Sequence, residues 1–352
     1  MTRVAAIIFH PRPAPGAGSL TEAFASIRRR NAERQATGFR RAGAEVTILD
    51  DLDDRKPFGQ RVRDVLGDGA PNGLVLLGSG SIPLATAVDR RAFVAIAAGP
   101  TGHALANNRF SADVVAVAGA ARLADLPDLP NDNGLPRWLA ETAGFAVADL
   151  RRRWRLQVDL DTPLDALLAR PGEAEDALGD RDLPTSAVRA AFAAVQAASR
   201  DPRRELVVAG RASAGGLAWL EQRTSSRTRA LVEERGFRTR TDGQRPVRSS
   251  LGLLLDRDGP AALGTLLAEL GDAAIVDTRV LLAHRFGGDE SGWPTTEDRF
   301  AGDLLLPDRI ADAWLRDLAR AALDAPIPIV LGGHTLVGPG LRLALREDRT
   351  WT

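Results

Sequence analysis

Two carboxylates that could hold a metal ion lie close together near the middle of the chain. Asp159 and Asp161 are two residues apart in the stretch WRLQVDLD, whose alternation predicts a strand over Trp154–Leu160. On a strand they would point to one face, and such a pair suits a magnesium ion shared with a nucleotide phosphate. Asp161 or Thr162 would equally serve as the N-cap of a helix that begins at Pro163. Metal binding with catalysis, and helix capping, both stay open for this pair.

A glycine- and serine-containing turn is a candidate phosphate-binding feature. It separates a predicted buried strand, Gly73–Leu77, from the next predicted helix and consists of Gly78, Ser79, Gly80 and Ser81. Backbone amides and hydroxyls near a helix start can hold an anion, because unpaired N–H groups and the helix dipole point there. An ordinary serine-capped turn fits the spacing as well. Arg12, in the Pro/Gly-rich loop 11–19, is the expected side-chain contact to the same phosphate.

Two short loops contain many hydrogen-bonding side chains. The segments 107–113 (NNRFSAD) and 131–138 (NDNGLPRW) contain Asn108, Arg109 and Arg137. Arginine can hold a carboxylate or a phosphate through two parallel hydrogen bonds, so these residues are candidate ligand contacts. Asx-turns without any ligand explain the same composition.

The second half of the chain offers a different set of acid–base candidates. Asp277 and Arg279 share one face of a predicted strand over Ala273–Leu282, with His284 just beyond it. His334 follows the last predicted strand. A buried Asp–Arg pair explains the first two residues, whereas a nearby histidine would make an acid–base site.

Composition excludes several classes of chemistry. The 352 residues include 46 basic and 46 acidic side chains, no Cys and four His, and Lys56 is the only lysine. Without Cys there is no disulfide framework, thiol nucleophile or thiolate metal site, and the four His share no metal-ligand spacing. A neutral chain with mixed charges is not expected to bind nucleic acid. The sequence predicts neither a signal peptide nor a membrane span, so we expect a cytoplasmic protein, and a homodimer is compatible with it.

Alternating strands and helices must position these residues. The further predicted strands are Val4–Phe9, Val46–Leu49, Val114–Val117, Glu205–Ala209, Arg229–Val232 and Pro328–Leu331. The alternation predicts an α/β fold: a three-layer domain over 1–170 with a mostly parallel sheet and helices on both faces, followed by a second, smaller α/β domain over 205–352. The charged, Pro/Gly-rich segment that begins the region 171–204 predicts a linker and a helix between them.

The first half resembles the nucleotidyltransferase fold of the GT-A type. The segments that support the resemblance are LVLLGSGSIPLAT (74–86), RLQVDLDTPLDALL (155–168) and the opening strand, loop and helix over 4–42. The most similar families are the molybdenum-cofactor guanylyltransferase-like and the 2-phospholactate guanylyltransferase-like proteins. The resemblance implies a nucleotide ligand, with Asp159 or Asp161 as a metal ligand. These families usually have a lysine in the first loop and a metal-binding Asp in the mid-sheet turn, where this chain has PRPAPGAGS and Gly80. The C-terminal half resembles no family.

Three functional hypotheses follow. The first is a magnesium-dependent enzyme, in its specific form a nucleotidyltransferase, that binds a nucleotide or another phosphorylated metabolite. The second is a non-catalytic ligand-binding or assembly protein on a decayed transferase fold. The third is an enzyme with an inter-domain site that uses the four second-half candidates, Asp277, Arg279, His284 and His334.

Overall fold

The structure, a computed structural model, describes residues 3–50, 56–67, 71–234, 246–346 and 350–351. The chain divides into two compact units, and each is described by itself. Unit 1 consists of Met1–Pro15 and Ala25–Leu160, and unit 2 of Gly16–Phe24 and Asp161–Thr352. The division at residue 160 precedes the expected boundary at 170, and the segment 171–204 belongs to unit 2. Unit 2 is the larger of the two units.

Unit 1 is built around one mixed sheet. Its strands and helices, with α1 beginning in the residues assigned to unit 2, are β1 Val4–Phe9, α1 Ser19–Arg41, β2 Glu45–Leu49, α2 Phe58–Leu66, β3 Gly73–Gly78, α3 Ala87–Ala97, β4 His103–Ala106, β5 Val114–Ala118, α4 Leu135–Glu141 and β6 Ala146–Asp149. The strand order is β2-β1-β3-β5-β4-β6, and β5 runs antiparallel to both of its neighbours. The remaining pairs are parallel, so the expected mostly parallel sheet is confirmed.

Apolar side chains on the two faces of this sheet form separate cores. Ile8 packs with residues of α1 and α3 on one face, and Phe9 packs with residues of α2 and α4 on the other. Successive side chains of a strand point to opposite faces, and a sheet covered on both faces needs apolar residues on both. The predicted three-layer arrangement is therefore confirmed for unit 1.

The sequence patterns located the long buried strands better than the short ones. We did not expect β4 and β6, which have four residues each and are rich in alanine, a residue without strand preference. The predicted strand over Trp154–Leu160 is wrong: Trp154–Gln157 is a 3₁₀ helix, and Asp159 forms only a single antiparallel bridge with Ser81. Asp159 and Asp161 therefore do not share the face of a strand.

Unit 2 contains a four-stranded parallel sheet surrounded by helices. Its elements are α5 Pro163–Ala169, α6 Pro171–Gly179, α7 Ser186–Ser199, β7 Glu205–Gly210, α8 Ala214–Arg223, β8 Arg227–Val232, α9 Ser250–Asp258, α10 Leu263–Leu270, β9 Ala273–Asp277, α11 Thr278–Phe286, α12 Thr296–Asp303, α13 Ala313–Leu323, β10 Ile329–Gly332, α14 His334–Val337 and α15 Leu341–Ala344. The strand order is β10-β9-β7-β8, with every pair parallel. Helix α7 packs against β7, β9 and β10 and is therefore a layer of this unit.

Strand β9 ends earlier than its apolar sequence predicts. The expected strand Ala273–Leu282 stops at Asp277, whose carboxylate accepts the backbone N–H of Arg279 at 3.1 Å and caps α11. The apolar residues after Asp277 are buried on α11 and not on a strand. A continuous apolar run fits a buried strand and a buried helix equally well, so the sequence did not distinguish them. Asp277 and Arg279 consequently do not lie on one strand face.

The N-terminus of α1 is capped by a residue distant in sequence. The carboxylate of Glu297, in the first turn of α12, accepts the backbone N–H groups of Leu20 and Thr21 at 2.9 Å each. It also accepts the Thr21 hydroxyl at 2.8 Å. The first N–H groups of a helix attract an anion, and here a carboxylate of the protein takes that position. Among the helices that the structure describes, none is long and apolar enough to cross a membrane.

Candidate functional site

The carboxyl ends of β1 and β3 form the first candidate site, within unit 1. The chain leaves β1 for β2 on one side and leaves β3 for the strands on the other side, and ligands bind at such a switch point in open α/β sheets. His10 and Ser79 are the first residues after these strands. Because Phe9 pairs with Gly78 in parallel register, His10 and Ser79 follow as neighbours on the same face.

Both side chains are buried and carry a polar atom without a partner. His10 is 6% exposed and Ser79 is 0% exposed. Within the described part of the chain, neither Nδ1 of His10 nor Oγ of Ser79 has a hydrogen-bond partner. An unsatisfied buried polar group costs about 1–3 kcal/mol, so the pair marks a place where a ligand would gain hydrogen bonds.

Two arginines of α1, Arg28 and Arg29, act on His10 with positive charge, and Arg12 of the first loop contacts the nearby Asp50. The guanidinium of Arg29 lies 2.8 Å from the carboxylate of Asp50, and that of Arg12 lies 3.7 Å from the same carboxylate. Burial lowers the pKa of His10, and the charges of Arg28 and Arg29 lower it further. The positive environment therefore favours the neutral form of the imidazole. A bound anion would oppose that effect and favour the protonated form.

Three of the four backbone amides of the turn 78–81 are used within the protein and do not face an anion in the way the sequence suggested. The N–H of Ser79 donates to Phe9 O at 2.8 Å, and that of Ser81 donates to Gly78 O at 3.1 Å. The Ser81 hydroxyl accepts the N–H of Gly78 at 3.1 Å and donates to Asp113 O at 2.8 Å. These groups maintain the turn, so Ser79 Oγ is the hydroxyl of the turn that remains for a ligand.

The predicted magnesium pair is not assembled as a pair of strand neighbours. Asp159 lies beside Gly80, where an added Cβ would come within 2.6 Å of Leu160 O and 3.2 Å of the Asp159 carboxylate. Asp161 belongs to unit 2 and lies 3.4 Å from His334. Among the described residues, no group of three or more His, Asp and Glu side chains could hold a metal ion. This donor set does not fit magnesium, which takes near-octahedral oxygen ligands.

The three loop candidates have partners of their own. Asn108 Oδ1 accepts the N–H of Phe110 at 3.1 Å, which is the Asx-turn alternative. Arg109 lies over the Phe110 ring, 5.5 Å from its centre. Arg137 lies on the exposed side of α4, 3.9 Å from Glu141. Such an exposed i,i+4 pair contributes little to stability and indicates no ligand.

The carboxyl ends of β7 and β9 form a second polar cluster, within unit 2. Arg211, just after β7, donates to the Asp277 carboxylate through two side-chain nitrogens, at 2.5 and 2.9 Å. Burial acts to raise the pKa of Asp277, but Arg211 and the nearby His334 and Arg279 together hold that pKa below its ordinary value. Asp277 is therefore ionised and fully compensated.

Arg279 belongs to a separate buried ion pair. Its guanidinium donates to both carboxylate oxygens of Asp303, at 2.5 and 2.6 Å, and to the Thr278 hydroxyl at 2.7 Å. The sequence offered a buried ion pair between Asp277 and Arg279 as one alternative. The structure has two buried Asp–Arg pairs instead, in which the partners are Arg211 and Asp303. No local signal distinguishes them, because each partner lies on another element.

His284 binds structural groups and not Asp277. Its Nδ1 accepts the N–H of Ser249 at 3.1 Å, so the proton lies on Nε2, which is 2.9 Å from the Asp256 carboxylate. The ring therefore joins α11 to the start of α9, and both nitrogens are engaged. The alternative of an acid–base site in which His284 acts with Asp277 is therefore not supported, since the described partners of the ring are Ser249 and Asp256.

His334 is paired with Asp161 at the end of β10. Its Nδ1 lies 3.4 Å from an Asp161 oxygen, and the two side chains are 41% and 54% exposed. Asp165, 1% exposed, accepts the Asp161 N–H at 3.1 Å through Oδ2, whereas its Oδ1 has no hydrogen-bond partner among the described residues. Burial raises the pKa of Asp165 well above its ordinary value, and the Asp161 and Asp303 charges add to the effect.

Comparisons with known proteins do not place the chain in a family. No protein-family model and no curated protein matches it. Among solved structures, it is similar to the crystal structure of Rv0371c from Mycobacterium tuberculosis H37Rv, with 16% identity. The match covers 42% of this chain and 87% of that chain, with a TM-score of 0.26. A similarity of this size establishes neither a shared fold nor a shared function.

Proposed function

We propose that the protein binds a small phosphate-bearing anion, a nucleotide or another phosphorylated metabolite, at the carboxyl edge of the unit 1 sheet. The observation that carries the proposal is that His10 Nδ1 and Ser79 Oγ, on the residues that follow the paired ends of β1 and β3, are both buried without a partner among the described residues. Phosphate oxygens are strong acceptors, and both a serine hydroxyl and an imidazole N–H can donate to them.

The charges around the pair favour an anion. Among the described residues, the positive charges of Arg28 and Arg29 act on His10 more strongly than the negative charges of Asp50 and Glu33. Because His10 and Ser79 are buried, a charge placed beside them is screened less than at an exposed surface. A bound anion would form charge-assisted hydrogen bonds with the two groups, on His10 and Ser79, that are unsatisfied without it.

Binding is better supported than nucleotidyl transfer. The Leu160 carbonyl lies where an aspartate side chain at position 80 would begin, so the carboxylate of the resembling families has no room there. Among the residues that the structure describes, the donor set for a magnesium ion is also incomplete. This favours the second hypothesis of the sequence analysis, a ligand-binding protein on a transferase-like fold, and leaves magnesium-dependent transfer as a prediction.

Isothermal titration calorimetry with defined anions tests the proposal. The probes are inorganic phosphate, pyrophosphate, GTP and CTP, each with and without Mg²⁺. We expect at least one probe to bind, and Ser79→Ala or Arg28→Gln to weaken that binding by about tenfold, the factor that ~1.4 kcal/mol represents. Arg137→Gln is the matched surface control and should bind like the wild type. If no probe binds, or if the control loses as much affinity as Arg28→Gln, the proposal is wrong.

A further inference from the structure

The two edge strands of the unit 2 sheet differ in how much of them is covered. The strand order β10-β9-β7-β8 places β10 at one edge and β8 at the other. All four residues of β10 are buried, whereas five of the six residues of β8 are exposed and the sixth is half-buried. An edge strand that nothing covers presents unpaired backbone groups to which another strand can bind. Strand β8 is therefore the open edge of this sheet.

The backbone of β8 directs three residues away from the sheet. The N–H groups of Arg227 and Glu233 donate to carbonyl oxygens next to the start and at the end of β7, at 2.9 Å each. In a parallel ladder, successive residues of an edge strand direct their backbone groups alternately towards the neighbouring strand and away from it. The intervening residues Thr228, Ala230 and Val232 consequently direct their N–H and C=O groups outwards. A strand that is added to this edge would pair with these three residues.

A second copy of β8 can satisfy all three residues at once. When two copies run antiparallel about a twofold axis at Ala230, Ala230 lies opposite Ala230 of the second copy, and Thr228 lies opposite Val232. Outward-directed residues that lie opposite each other in an antiparallel pair exchange two hydrogen bonds, so the three pairs form about six. Both copies use the same surface, which is the usual geometry of a twofold dimer.

The charges of β8 favour this register over its neighbours. With the axis at Ala230, Arg227 lies opposite Glu233 and Arg229 lies opposite Leu231. With the axis at Arg229, the two copies of that arginine lie opposite each other, and like charges in this position are destabilising. With the axis at Leu231, the partner of Thr228 falls beyond the end of the second strand. The axis at Ala230 is therefore the register that joins opposite charges and uses the whole strand.

The opposing charges are available for such a contact. Arg227 is exposed and has no ion-pair partner among the residues that the structure describes. The carboxylate of Glu233 is held in place by the Ser249 hydroxyl and the Ser250 N–H, at 2.6 Å each. Pairing would also cover part of Val232, an apolar side chain that is 57% exposed. Charge and apolar surface thus act in the same direction as the backbone.

We propose that the protein forms a homodimer through antiparallel pairing of β8 with β8 of a second copy, about a twofold axis at Ala230. The two four-stranded sheets of unit 2 are joined into one continuous sheet. The occupant of the open edge is the same strand of the second copy, because its outward backbone groups and its charges complement each other in one register.

Single-cysteine cross-linking tests the register. The chain contains no Cys, so one introduced thiol reports one pair of positions. In the proposed dimer the two Ala230 Cα atoms are about 5.5 Å apart, within the range that a disulfide spans. The matched control is Val232→Cys, whose two positions are about 14 Å apart along the strands, too far for a disulfide. Under mild oxidation, Ala230→Cys should give a covalent dimer and Val232→Cys should not. Equal cross-linking of both variants, or of Val232→Cys alone, overturns the proposal.

Sedimentation equilibrium tests the association itself. The wild type should dimerise as its concentration rises, and Ala230→Glu should raise the Kd of the dimer at least about tenfold, corresponding to ~1.4 kcal/mol, because two carboxylates then lie opposite each other. Ala95→Glu, at an exposed alanine of α3, is the matched control and should dimerise like the wild type. A wild type that is monomeric at every concentration overturns the proposal and leaves the edge to an extended segment of another protein. A dimer that Ala230→Glu does not weaken overturns it as well.

Amide hydrogen exchange of the wild type covers the case in which a variant does not fold. The N–H groups of Thr228, Ala230 and Val232 should be protected at concentrations where the dimer forms and should exchange faster after dilution. The N–H of Arg227, which is bonded towards β7, should stay protected at both concentrations. If dilution changes the exchange of none of the three outward N–H groups, the interface is not at β8.

Discussion

Two serines of one turn should respond in opposite ways to the same substitution. Ser79 and Ser81 are both buried, at 0% and 3% exposure, and follow the same strand. The Ser81 hydroxyl makes two hydrogen bonds, at 3.1 and 2.8 Å, whereas Ser79 Oγ makes none among the described residues. Ser79→Ala and Ser81→Ala each remove one oxygen, so the comparison isolates the hydrogen bonds.

The magnitudes follow from the partners that remain. Ser81→Ala leaves the half-buried Gly78 N–H and Asp113 O without these bonds, which costs about 1 kcal/mol for each hydrogen bond lost. Ser79→Ala removes a hydroxyl that is buried without a partner, so it should be neutral or stabilising by about 1 kcal/mol. For a protein region of this size, 1 kcal/mol corresponds to ~2–4 °C in Tm. Ser81→Ala should therefore lower the Tm of unit 1 by several degrees, and Ser79→Ala should not lower it.

Ligand binding should show the reverse order. Because Ser79 Oγ is the proposed donor to a phosphate oxygen, Ser79→Ala should lose about tenfold in affinity, and Ser81→Ala should keep the wild-type affinity. Thermal unfolding without ligand and calorimetry with the anion that binds the wild type measure the two effects. The reasoning is refuted if Ser79→Ala is as destabilising as Ser81→Ala, or if it binds the anion as tightly as the wild type.

Three further predictions concern other buried groups. Sulfate affinity should rise as the pH falls below about 6.5, because a bound anion favours the protonated form of His10, whose pKa the free protein holds below its ordinary value; calorimetry of His10→Asn should show no such rise. Asp165 keeps a proton that the unfolded chain releases, so wild-type stability falls as pH rises above about 3.9. In urea unfolding, Asp165→Asn should be more stable near neutral pH and should lose that advantage towards pH ~4; equal stability at every pH would contradict this. His284→Ala should destabilise unit 2 by about 1–3 kcal/mol in urea unfolding, since Ser249 N–H and Asp256 lose their partner; unchanged stability would contradict this.

The sequence predicted which candidate residues lie at the carboxyl edge of a sheet, because the end of a strand is marked by the residues around it. Val4–Phe9 and Gly73–Gly78 are apolar runs bounded by Pro, Gly or Ser, and the residues that follow them lie at the carboxyl edge. The same reasoning placed His334 just after the last strand, whereas the strand predicted over Ala273–Leu282 left Asp277 in its interior and not at its end. Short alanine-rich strands such as His103–Ala106 gave no such signal, because their burial comes from neighbouring strands.

Partners, in contrast, were decided by contacts between distant segments. Arg211 meets Asp277 across 66 positions, and Arg279 meets Asp303 across 24. Nothing in the local pattern distinguishes these arginines from the many exposed ones. The partner of His284 could not be predicted either. Its short distance in sequence from Asp277 did not reveal that α11 directs the ring towards Ser249.

The sequence alone therefore determined the α/β class, the buried strands and the kinds of chemistry that remain without cysteine or clustered histidine. Those properties depend on periodicity and composition, which every short segment carries. Only the tertiary structure decided that Asp161 faces His334, that Glu297 caps α1, and that Ser79 keeps an unpartnered hydroxyl while Ser81 does not. Hydrogen bonds and ion pairs are short-ranged, so which groups they join depends on how the chain packs and not on their spacing along it.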